Sequence, residues 1–405
     1  MDHREVVVVG GGIVGSFTAY ELAKAGHHVV VVDPRPGSGA SAGNAGMLVP
    51  SYCLPMSNPG TLWAGLRSMA GPDPAVAFAR PVSLATMGWL ARFAIASRPG
   101  RAIKVTPALI DMAVRSIDDY QRLVDTEQVD IGLRRTGWLH VAWTESALRA
   151  HLRSVSALRN LGARADILTN TETRAVEPRI SANVHGGVYF PGDASLDPAA
   201  AVTAVLACAE RHGARVLHTR AVGLDRVGDT VDAVVTTSGR IRAEAVVLAV
   251  GAATSEVAQR FGINCPRIEP GYGWSLTLPT PATMSRVALM SVDDHVVVNA
   301  SQAAVRITGG MRFGGNAALA PPPSAFAALR AAADRMLPDL AHIAASAECR
   351  WDARPMTASG LPVMYRAMAN LTIVSGHGTL GMTLAPATAR SVARQLTTMS
   401  TRRAS

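Results

Sequence analysis

The chain has 405 residues, of which 48% are hydrophobic and 17% charged, and it carries a formal net charge of +9. This composition excludes an intrinsically disordered chain, because disorder requires few apolar and many charged residues. The length favours two domains, since single cores seldom exceed about 250 residues. The arginines are dispersed rather than clustered, so we expect a basic surface and no nucleic acid partner.

The four cysteines show neither paired spacing nor a metal-ligand spacing with histidine. We therefore expect no disulfide framework, no metal and a reduced, cytoplasmic setting. The longest apolar segment, Pro81 to Ala96, is interrupted by Arg92 and is too short to span a bilayer. We expect it to pack in a core, and peripheral contact with the inner face of the cell membrane is the alternative that its residues leave open.

The first elements have the pattern of a βαβ unit. Glu5 to Gly15 reads EVVVVGGGIVG, which is typical of a buried parallel strand followed by a glycine turn. A helix is expected from Ser16 to Ala25, and a second apolar strand from His28 to Val32 ends at Asp33. The sequence thus predicts an α/β, doubly wound fold.

The middle of the chain has a different pattern. A loop rich in Gly, Pro and Ser runs from Pro34 to about Pro74, and loops of this length usually have a function. Helices then dominate until about Leu168, and short alternating segments predict antiparallel strands between Ser275 and Thr308. Buried strands of the first type return at Ala245 to Val250 and at Leu371 to Val374. A second domain is therefore expected to be inserted into the dinucleotide fold.

A glycine motif follows the first strand. Gly10, Gly12 and Gly15 form GxGxxG, in which the first glycine permits a tight turn, the second lets a pyrophosphate approach the backbone, and the third allows close helix packing. Asp33 lies 23 residues after Gly10, where a carboxylate can accept hydrogen bonds from ribose hydroxyls. Together these residues predict a dinucleotide site.

Two distant segments favour a flavin dinucleotide over a nicotinamide one. Ser41 to Met47 reads SAGNAGM, a loop of small residues that suits close packing beside an extended cofactor. Gly376 to Thr383 reads GHGTLGMT between a strand and a helix, so its backbone amides and the helix dipole can face an anion. Such a positive end would stabilise the charge of a reduced flavin ring.

The segments GNAGML, RPMTASGLPV and GHGTLGMTLAP are specific, and similar motifs extend over nearly the whole chain. With them the chain resembles the glycine oxidase and D-amino acid dehydrogenase branch of the FAD-dependent D-amino acid oxidase superfamily, most closely the bacterial D-amino acid dehydrogenases. The resemblance implies a discontinuous Rossmann-like FAD-binding domain of the glutathione-reductase-like type, comprising residues 1–52, 195–260 and 345–405. It also implies an α+β substrate domain with an antiparallel sheet, comprising 53–194 and 261–344.

The resemblance also implies which residues bind noncovalent FAD. The expected set is Gly10, Gly12, Ile13, Val14, Gly15, Asp33, Pro34, Ser41, Asn44, Ala45, Gly46, Met47, Val222, Gly251, Gly378, Thr379, Leu380, Gly381, Met382 and Thr383. Val222 is expected to meet the adenine through its backbone. Cys349 lies near the position of a flavin-linking cysteine in related sarcosine oxidases but about three residues early, which favours noncovalent binding.

Arg354 matches the arginine that holds the substrate carboxylate in this family, and a guanidinium can form two parallel hydrogen bonds with a carboxylate. Tyr52, Tyr272, Trp274 and Arg312 complete the expected substrate site. Tyr272 and Trp274 depart from the usual KGYS segment, and the glycine pair that relatives follow shortly with Glu is followed here by Arg312 and Phe313. A second cation near the pocket would favour an acidic or larger substrate. His377 is not expected to act as a base.

The implied reaction is oxidative deamination of a carboxylate-bearing amine, most simply a D-amino acid. Hydride passes from the α-carbon to flavin N5, and the resulting imine hydrolyses to an oxo acid and ammonia. Electrons are expected to leave to a quinone or a carrier protein. The residues leave three alternatives open: a secondary amine of the sarcosine, glycine or proline type as substrate, a flavin-binding electron-transfer subunit without its own substrate, and an NAD-dependent dehydrogenase.

Overall fold

The computed structural model describes residues 4–58, 60, 76–78, 82–98, 100–281, 285–314, 320–340 and 347–401. In chain order, the strands are β1 (Glu5–Val9), β2 (His28–Val32), β3 (Met47–Leu48), β4 (Ala77–Phe78), β5 (Trp138–Ala142), β6 (Asp166–Thr169), β7 (Gly186–Phe190), β8 (Ala194–Ser195), β9 (Arg215–Leu217), β10 (Ala221–Val227), β11 (Thr230–Thr236), β12 (Gly239–Arg242), β13 (Ala245–Leu248), β14 (Ile268–Leu278), β15 (Ala288–Ser291), β16 (Val296–Ala300), β17 (Val305–Phe313), β18 (Glu348–Thr357), β19 (Val363–Met368) and β20 (Leu371–Ser375). The described helices are α1 (Ile13–Lys24), α2 (Leu84–Ala96), α3 (Arg101–Glu127), α4 (Glu145–Asn160), α5 (Asn170–Val176), α6 (Pro198–Arg211), α7 (Thr254–Arg260), α8 (Pro323–Met336) and α9 (Gly381–Thr401).

A six-stranded, mostly parallel sheet has the strand order β19-β20-β13-β1-β2-β9. All its pairs are parallel except β19 with β20. Helices α1, α6 and α9 pack on one face through apolar side chains such as Phe17, Val205 and Val392. The antiparallel ribbon β10-β11-β12 and α7 cover the other face. This arrangement is the predicted doubly wound fold, in which both faces of a parallel sheet are buried.

A nine-stranded sheet forms the second layer system, with the order β18-β14-β17-β16-β15-β5-β7-β6 and β4 paired to β17. Its pairs are antiparallel apart from β15 with β5 and β17 with β4. Helix α8 packs on one face, where Leu329 and Met336 contact the buried side chains of β14 and β17. The predicted α/β fold with an additional antiparallel sheet is therefore confirmed.

One strand departs from the predicted division of the chain. β18 lies within 345–405, the third stretch expected for the dinucleotide-binding domain, yet it hydrogen-bonds along its length to β14 of the nine-stranded sheet. Ten consecutive residue pairs hold this register, from Ile268 with Thr357 to Thr277 with Glu348. We propose that β18 belongs to the substrate domain and that the chain returns to the dinucleotide-binding domain after it.

Helix α2, which contains most of the apolar segment singled out above, has two different faces. Trp89 and Phe93 are buried, and their rings stack at 5.3 Å. Leu84, Met87 and Ile95 on the other face are 83%, 47% and 58% exposed. The expected core packing thus holds for one face only. None of the helices in the described residues is apolar over a length sufficient to traverse a bilayer.

Two histidines are paired inside the nine-stranded sheet. His140 on β5 is 1% exposed and packs against the rings of Trp138 and Phe190 at 4.1 and 4.7 Å. Its Nδ1 lies 3.0 Å from Nε2 of His151 on α4. Burial lowers the pKa of His140, and burial followed by the nearby His295 lowers the pKa of His151 to about 4. Both rings are therefore neutral when the protein is folded at pH 7.

This pair predicts loss of stability in acid. Histidine in an unfolded chain titrates near pH 6.5, so between about pH 6.5 and 4 the unfolded state binds more protons than the folded one. The free energy of unfolding should fall as pH decreases through this window, with a slope approaching about 1.4 kcal/mol per pH unit for each histidine. Urea unfolding at several pH values should show a shallower slope for His151→Gln, and identical slopes would contradict this assignment.

Candidate active site

Two glycines of the β1–α1 turn are required by the packing of the chain itself. Gly10 has a φ of +113°, and a Cβ there would lie 2.4 Å from the carbonyl oxygen of Ala249. A Cβ on Gly15 would lie 1.9 Å from the oxygen of Gly10. Gly12 differs, since a Cβ there would meet only Oγ of Ser41, at 3.3 Å. The N-terminus of α1 is therefore open at Gly12, where a ligand could approach the backbone.

A cavity of about 450 Å³ begins at this turn and extends to the start of α9. It brings together many of the predicted cofactor residues, namely Gly10, Gly12, Ile13, Val14, Asp33, Pro34, Ser41, Asn44, Gly251, Gly378, Gly381 and Met382, and it also includes Arg354. A second cavity of about 400 Å³ adjoins it and shares Gly12, Asp33 and Asp352. Segments from both ends of the chain thus line one elongated space.

Asp33 closes the turn between β2 and the following loop. One carboxylate oxygen accepts a hydrogen bond from the backbone N–H of Gly11 at 2.8 Å, and the other accepts from the backbone N–H of Arg35 at 2.8 Å. A carboxylate offers about four acceptor positions, so it can also accept from hydroxyl groups of a ligand. The position is consistent with ribose recognition.

Ser41 and Asn44 hold the small-residue loop against α1. Oγ of Ser41 accepts a hydrogen bond from the backbone N–H of Ile13 at 3.1 Å. Oδ1 of Asn44 accepts from the backbone N–H of Gly46 at 2.8 Å. Gly46 has a φ of +74°, and a Cβ there would lie 2.1 Å from the oxygen of Leu196. The glycine is therefore needed for the close approach of two chain segments.

The rest of this loop is anchored away from the cavity. The oxygen of Ala45 accepts from Nδ2 of Asn299 at 2.8 Å, and Met47 lies in β3, which pairs with β8. Oγ1 of Thr383 on α9 donates to the oxygen of Met47 and accepts from the N–H of Val49. In the described structure, Ala45, Gly46, Met47 and Thr383 are not among the cavity-lining residues, and their contacts position the loop instead.

The start of α9 forms the far end of the cavity. A 3-10 turn at Gly378–Leu380 leads into the helix at Gly381. Met382 lines the cavity, whereas Leu380 is buried in an apolar cluster and Thr379 is not a lining residue in the described part of the chain. A helix N-terminus carries a partial positive charge, so this end favours an anionic group.

Arg354 reaches the cavity from β18. Its Nη1 donates to the oxygen of Gly310 at 2.9 Å and lies 3.9 Å from Sδ of Met311. Burial lowers the pKa of this guanidinium, while Tyr52 and then Asp352 raise it. An arginine remains charged at neutral pH in spite of such shifts. A cation with unused donors is thus held at the wall of the cavity.

The strand register determines which face Arg354 occupies. Directly paired residues of an antiparallel ladder lie on the same face. Arg354 pairs with Gly271, and Asp352 pairs with Gly273. A Cβ on Gly273 would lie 2.2 to 2.5 Å from the Arg354 guanidinium, so the side chain lies flat across this glycine. β14 therefore supplies a bare backbone surface beneath the arginine.

Tyr272, Trp274 and Arg312 are not brought together with Arg354, contrary to the expectation above. Tyr272 pairs with Arg312 on β17, with Ala353 on its other side, and the Arg312 guanidinium lies 5.7 Å from the tyrosine ring. Trp274 packs with the apolar side chains around α8. Because strand side chains alternate, these residues occupy the face opposite to Arg354.

Tyr52 lies at the end of a 3-10 turn, Pro50–Tyr52, and its ring contacts Trp138 edge-on at 5.8 Å. The side chain is 43% exposed, yet the packing around its hydroxyl raises its pKa. Arg354 acts in the opposite direction, so the phenol and the guanidinium are close enough to influence each other. In the described structure, Tyr52 is not among the residues that line either cavity.

In the described structure, His377 is among the cavity-lining residues, whereas Val222 is not. Val222 is 38% exposed and lies at an irregularity of β10, between paired residues Ala221 and Gly223. The cavity is lined by its neighbours Arg220 and Ala221. His377 lines the cavity, but its Nε2 lies 3.0 Å from Oγ1 of Thr388, and burial lowers its pKa to about 4. The His377 ring is therefore neutral at pH 7 and lies within hydrogen-bond distance of Thr388.

Asp352 is a cavity residue that the sequence did not indicate as part of the site. Its carboxylate accepts from Nη2 of Arg350 at 3.1 Å, and the same nitrogen lies 3.1 Å from the oxygen of Ser38. Burial raises the pKa of Asp352, and Arg350 is the largest opposing influence. The alternating charges Arg350, Asp352 and Arg354 could have been recognised only if their strand register had been known.

Comparison with known proteins gives concordant matches. The model of the FAD-dependent oxidoreductase family matches residues 5–395. The chain is 30% identical over 399 residues to a D-amino acid dehydrogenase of Sinorhizobium medicae, covering 96% of this chain and 95% of the relative. It is 31% identical over 405 residues to one of Methylobacterium sp., with 97% and 95% covered. The crystal structure of glycine oxidase from Bacillus cereus has the same fold, with a TM-score of 0.75, 20% identity and coverage of 98% and 95%.

The different surroundings of the glycines predict different effects of a methyl group. Gly15→Ala should destabilise the protein by more than about 1 kcal/mol, because the new Cβ overlaps a backbone oxygen. Gly12→Ala should keep the thermal midpoint within a few degrees. It should lower the amount of FAD that copurifies with the protein, because the new Cβ lies where a ligand would approach the backbone. Thermal unfolding and flavin absorbance measure the two effects. Equal loss of stability in both variants would contradict this distinction.

Proposed function

The chain belongs to the family of FAD-dependent oxidoreductases, which confirms the resemblance found in the sequence, and from this we propose that it deaminates D-amino acids oxidatively. The relatives named D-amino acid dehydrogenase match nearly the full chain and support this substrate class. Membership in an FAD-dependent family overturns the nicotinamide alternative. The observation that carries the proposal is Arg354 at the wall of the cavity that the glycine turn and Asp33 also line.

In this proposal Arg354 binds the substrate carboxylate. One of its donors is used by Gly310, and the planar guanidinium retains further N–H groups for two carboxylate oxygens. A forked pair of hydrogen bonds fixes the direction of the α-carbon as well as its position. Orientation of this kind is a major source of rate enhancement when a bound group carries out the chemistry.

Tyr52 would assist in binding the same carboxylate. The charge of Arg354 lowers the pKa of its hydroxyl, although burial outweighs this effect, and the residue is 43% exposed. A phenol that keeps its proton can donate one hydrogen bond to a carboxylate oxygen without adding charge. The raised pKa of Tyr52 keeps that proton in place near neutral pH.

The cavity residues suit FAD. Gly12 opens the backbone for a pyrophosphate, Asp33 has acceptor positions for ribose hydroxyls, and the start of α9 offers a positive end to the ring. When bound, FAD supplies the acceptor for the hydride of the substrate α-carbon. The chain's own residues orient the substrate and exclude water from the buried end of the cavity.

We propose that FAD is held noncovalently. Cys349 is exposed on β18 and lines the adjoining cavity. Its Sγ lies 3.9 Å from the backbone oxygen of Ala347. It pairs with Leu276, so it faces away from Arg354 and Asp352. Acid precipitation should release all the flavin absorbance into the supernatant.

We also propose that a quinone or a carrier protein accepts the electrons, because the full-length relatives are named dehydrogenases. The exposed face of α2 combines Leu84, Met87 and Ile95 with Arg92, a composition that suits peripheral contact with an anionic bilayer. Sedimentation with vesicles containing an anionic phospholipid, compared with neutral vesicles, tests this contact.

A secondary amine is the second candidate substrate. The site binds a carboxylate in either case, and none of the contacts above distinguishes a primary from a secondary amino group. The relatives named D-amino acid dehydrogenase match nearly the full chain, and this opposes the alternative of a subunit without a substrate.

A panel of substrates tests the proposed reaction. D-amino acids should bleach the flavin absorbance anaerobically, and reoxidation should be faster with an artificial quinone than with oxygen. Measurement of reduction rates with D-isomers, L-isomers, sarcosine and proline separates the candidates. Faster reduction by L-isomers would contradict the D-amino acid proposal, and no reduction by any carboxylated amine would contradict oxidative deamination.

Substitution of Arg354 tests the proposed carboxylate-binding site. Arg354→Lys loses the forked geometry, and we expect KM for the amino acid to rise about 10- to 100-fold, since a charged hydrogen bond contributes about 1.5–3 kcal/mol. FAD content should remain near that of the unmodified protein. Steady-state kinetics together with flavin absorbance provides the measurement.

Arg312→Lys is the matched control, because Arg312 lies on the opposite face of the same sheet. We expect KM to change less than about two-fold for this variant. Such a change corresponds to a binding energy smaller than that of one hydrogen bond. An equal rise in both variants would contradict the assignment of Arg354. A selective loss of acidic substrates in Arg312→Lys would instead support a second cation in the pocket.

A further inference from the structure

The turn that carries Tyr52 is held by a buried carboxylate. Ser51 donates two hydrogen bonds to Asp193, one from its hydroxyl to Oδ2 and one from its backbone N–H to Oδ1 at 3.1 Å. Ser51 is 4% exposed and Asp193 is 2% exposed. The residue adjacent to Tyr52 is therefore fixed by both its side chain and its backbone.

Asp193 is itself fixed in the nine-stranded sheet region. Its backbone N–H donates to the oxygen of Phe190 at the end of β7, and its oxygen accepts from the N–H of Gly137 at 3.1 Å. The next two residues form β8, which pairs with β3. The segment from Met47 to Tyr52 is thus attached at its start through β3 and at its end through Ser51.

Burial of the Asp193 carboxylate costs free energy, because a charged group is removed from water. Among the ion pairs in the described part of the chain, none involves Asp193. Burial raises the pKa of Asp193 to about 7, and the two bonds from Ser51 act in the other direction. The neighbouring titratable group is Cys53, whose thiol has a pKa raised by burial and by Asp193. The two hydrogen bonds from Ser51 satisfy both carboxylate oxygens and offset part of the cost of burial, so they fix the turn next to Tyr52.

We propose that Asp193 is a positioning residue that acts through Ser51 to hold the Tyr52 phenol beside Arg354, where both receive the substrate carboxylate. The inference rests on the proposed function, because it assigns Tyr52 to substrate binding. Tyr52 is restrained on its other side by the edge of the Trp138 ring. With Asp193 removed, the turn would lose both hydrogen bonds made by Ser51, and the direction of the phenol would be less firmly fixed.

The test is a double-mutant cycle with Asp193→Ala and Tyr52→Phe in the FAD-loaded protein. Asp193→Ala should raise KM about 10-fold with a smaller change in kcat, equivalent to about 1.4 kcal/mol of lost binding. In the Tyr52→Phe background the same substitution should raise KM less than about three-fold, because the hydroxyl it positions is already absent. Equal increases in both backgrounds would overturn the inference.

A second readout does not depend on turnover. Propanoate, which has a carboxylate and no amine, should perturb the flavin absorbance when it binds, and its Kd should follow the same non-additive pattern. Asp193→Asn should restore most of the affinity, since an amide can accept from the Ser51 N–H and donate to its hydroxyl. If Asp193→Ala fails to fold, Asp193→Asn and Ser51→Ala test the same contact. Unchanged propanoate affinity in Ser51→Ala would overturn the inference.

Glu177→Gln provides a matched control for general loss of stability. Glu177 is fully buried, and its carboxylate accepts backbone N–H groups of Arg179 and Arg286. It is remote in the sequence from the Tyr52 turn, and we expect lower thermal stability with unchanged KM. If Arg354→Lys leaves KM unchanged, the proposed function fails. If Arg354→Lys raises KM but the Asp193 cycle is additive, only the positioning role fails.

Discussion

The guanidinium of Arg354 lies across Gly273, and this contact determines the architecture of the site. Any Cβ on Gly273 would overlap the guanidinium, so a glycine is required on β14 opposite Asp352. The regular register of β14 with β18 then places Arg350, Asp352 and Arg354 on one face of the sheet and the aromatic residues Tyr272 and Trp274 on the other. A shift of one residue would exchange the two faces and remove the cation from the cavity.

The site depends on both sheets of the molecule. The six-stranded sheet supplies the β1–α1 turn and the start of α9, where backbone amides can face phosphate and ring oxygens. The nine-stranded sheet supplies Arg354 through β18. The segment from Ser41 to Tyr52 connects them, because Ser41 binds the start of α1 while Ser51 binds Asp193. In the proposed function, one continuous loop therefore positions both the cofactor and the substrate groups.

Features that depend on nearby residues were predictable from the sequence. The glycine turn, Asp33 and the first βαβ unit follow from spacing within about thirty residues, and the structure places them as expected. The strand faces were not predictable, because they depend on the register between segments about eighty residues apart and on an irregularity in β17 near Trp274. Asp193 gave no local signal, since its partner Ser51 is 142 residues away. Family resemblance identified Arg354, whereas its hydrogen bonds required the structure.

A crystal structure with FAD and a bound carboxylate would locate both ligands relative to Arg354. We expect two Arg354 nitrogens at roughly 2.7–3.1 Å from the carboxylate oxygens, with the Tyr52 hydroxyl donating to one of them. The flavin should lie between the β1–α1 turn and the start of α9. A carboxylate bound on the Tyr272 and Arg312 face, or a flavin outside the cavity next to Gly12, would contradict this expectation.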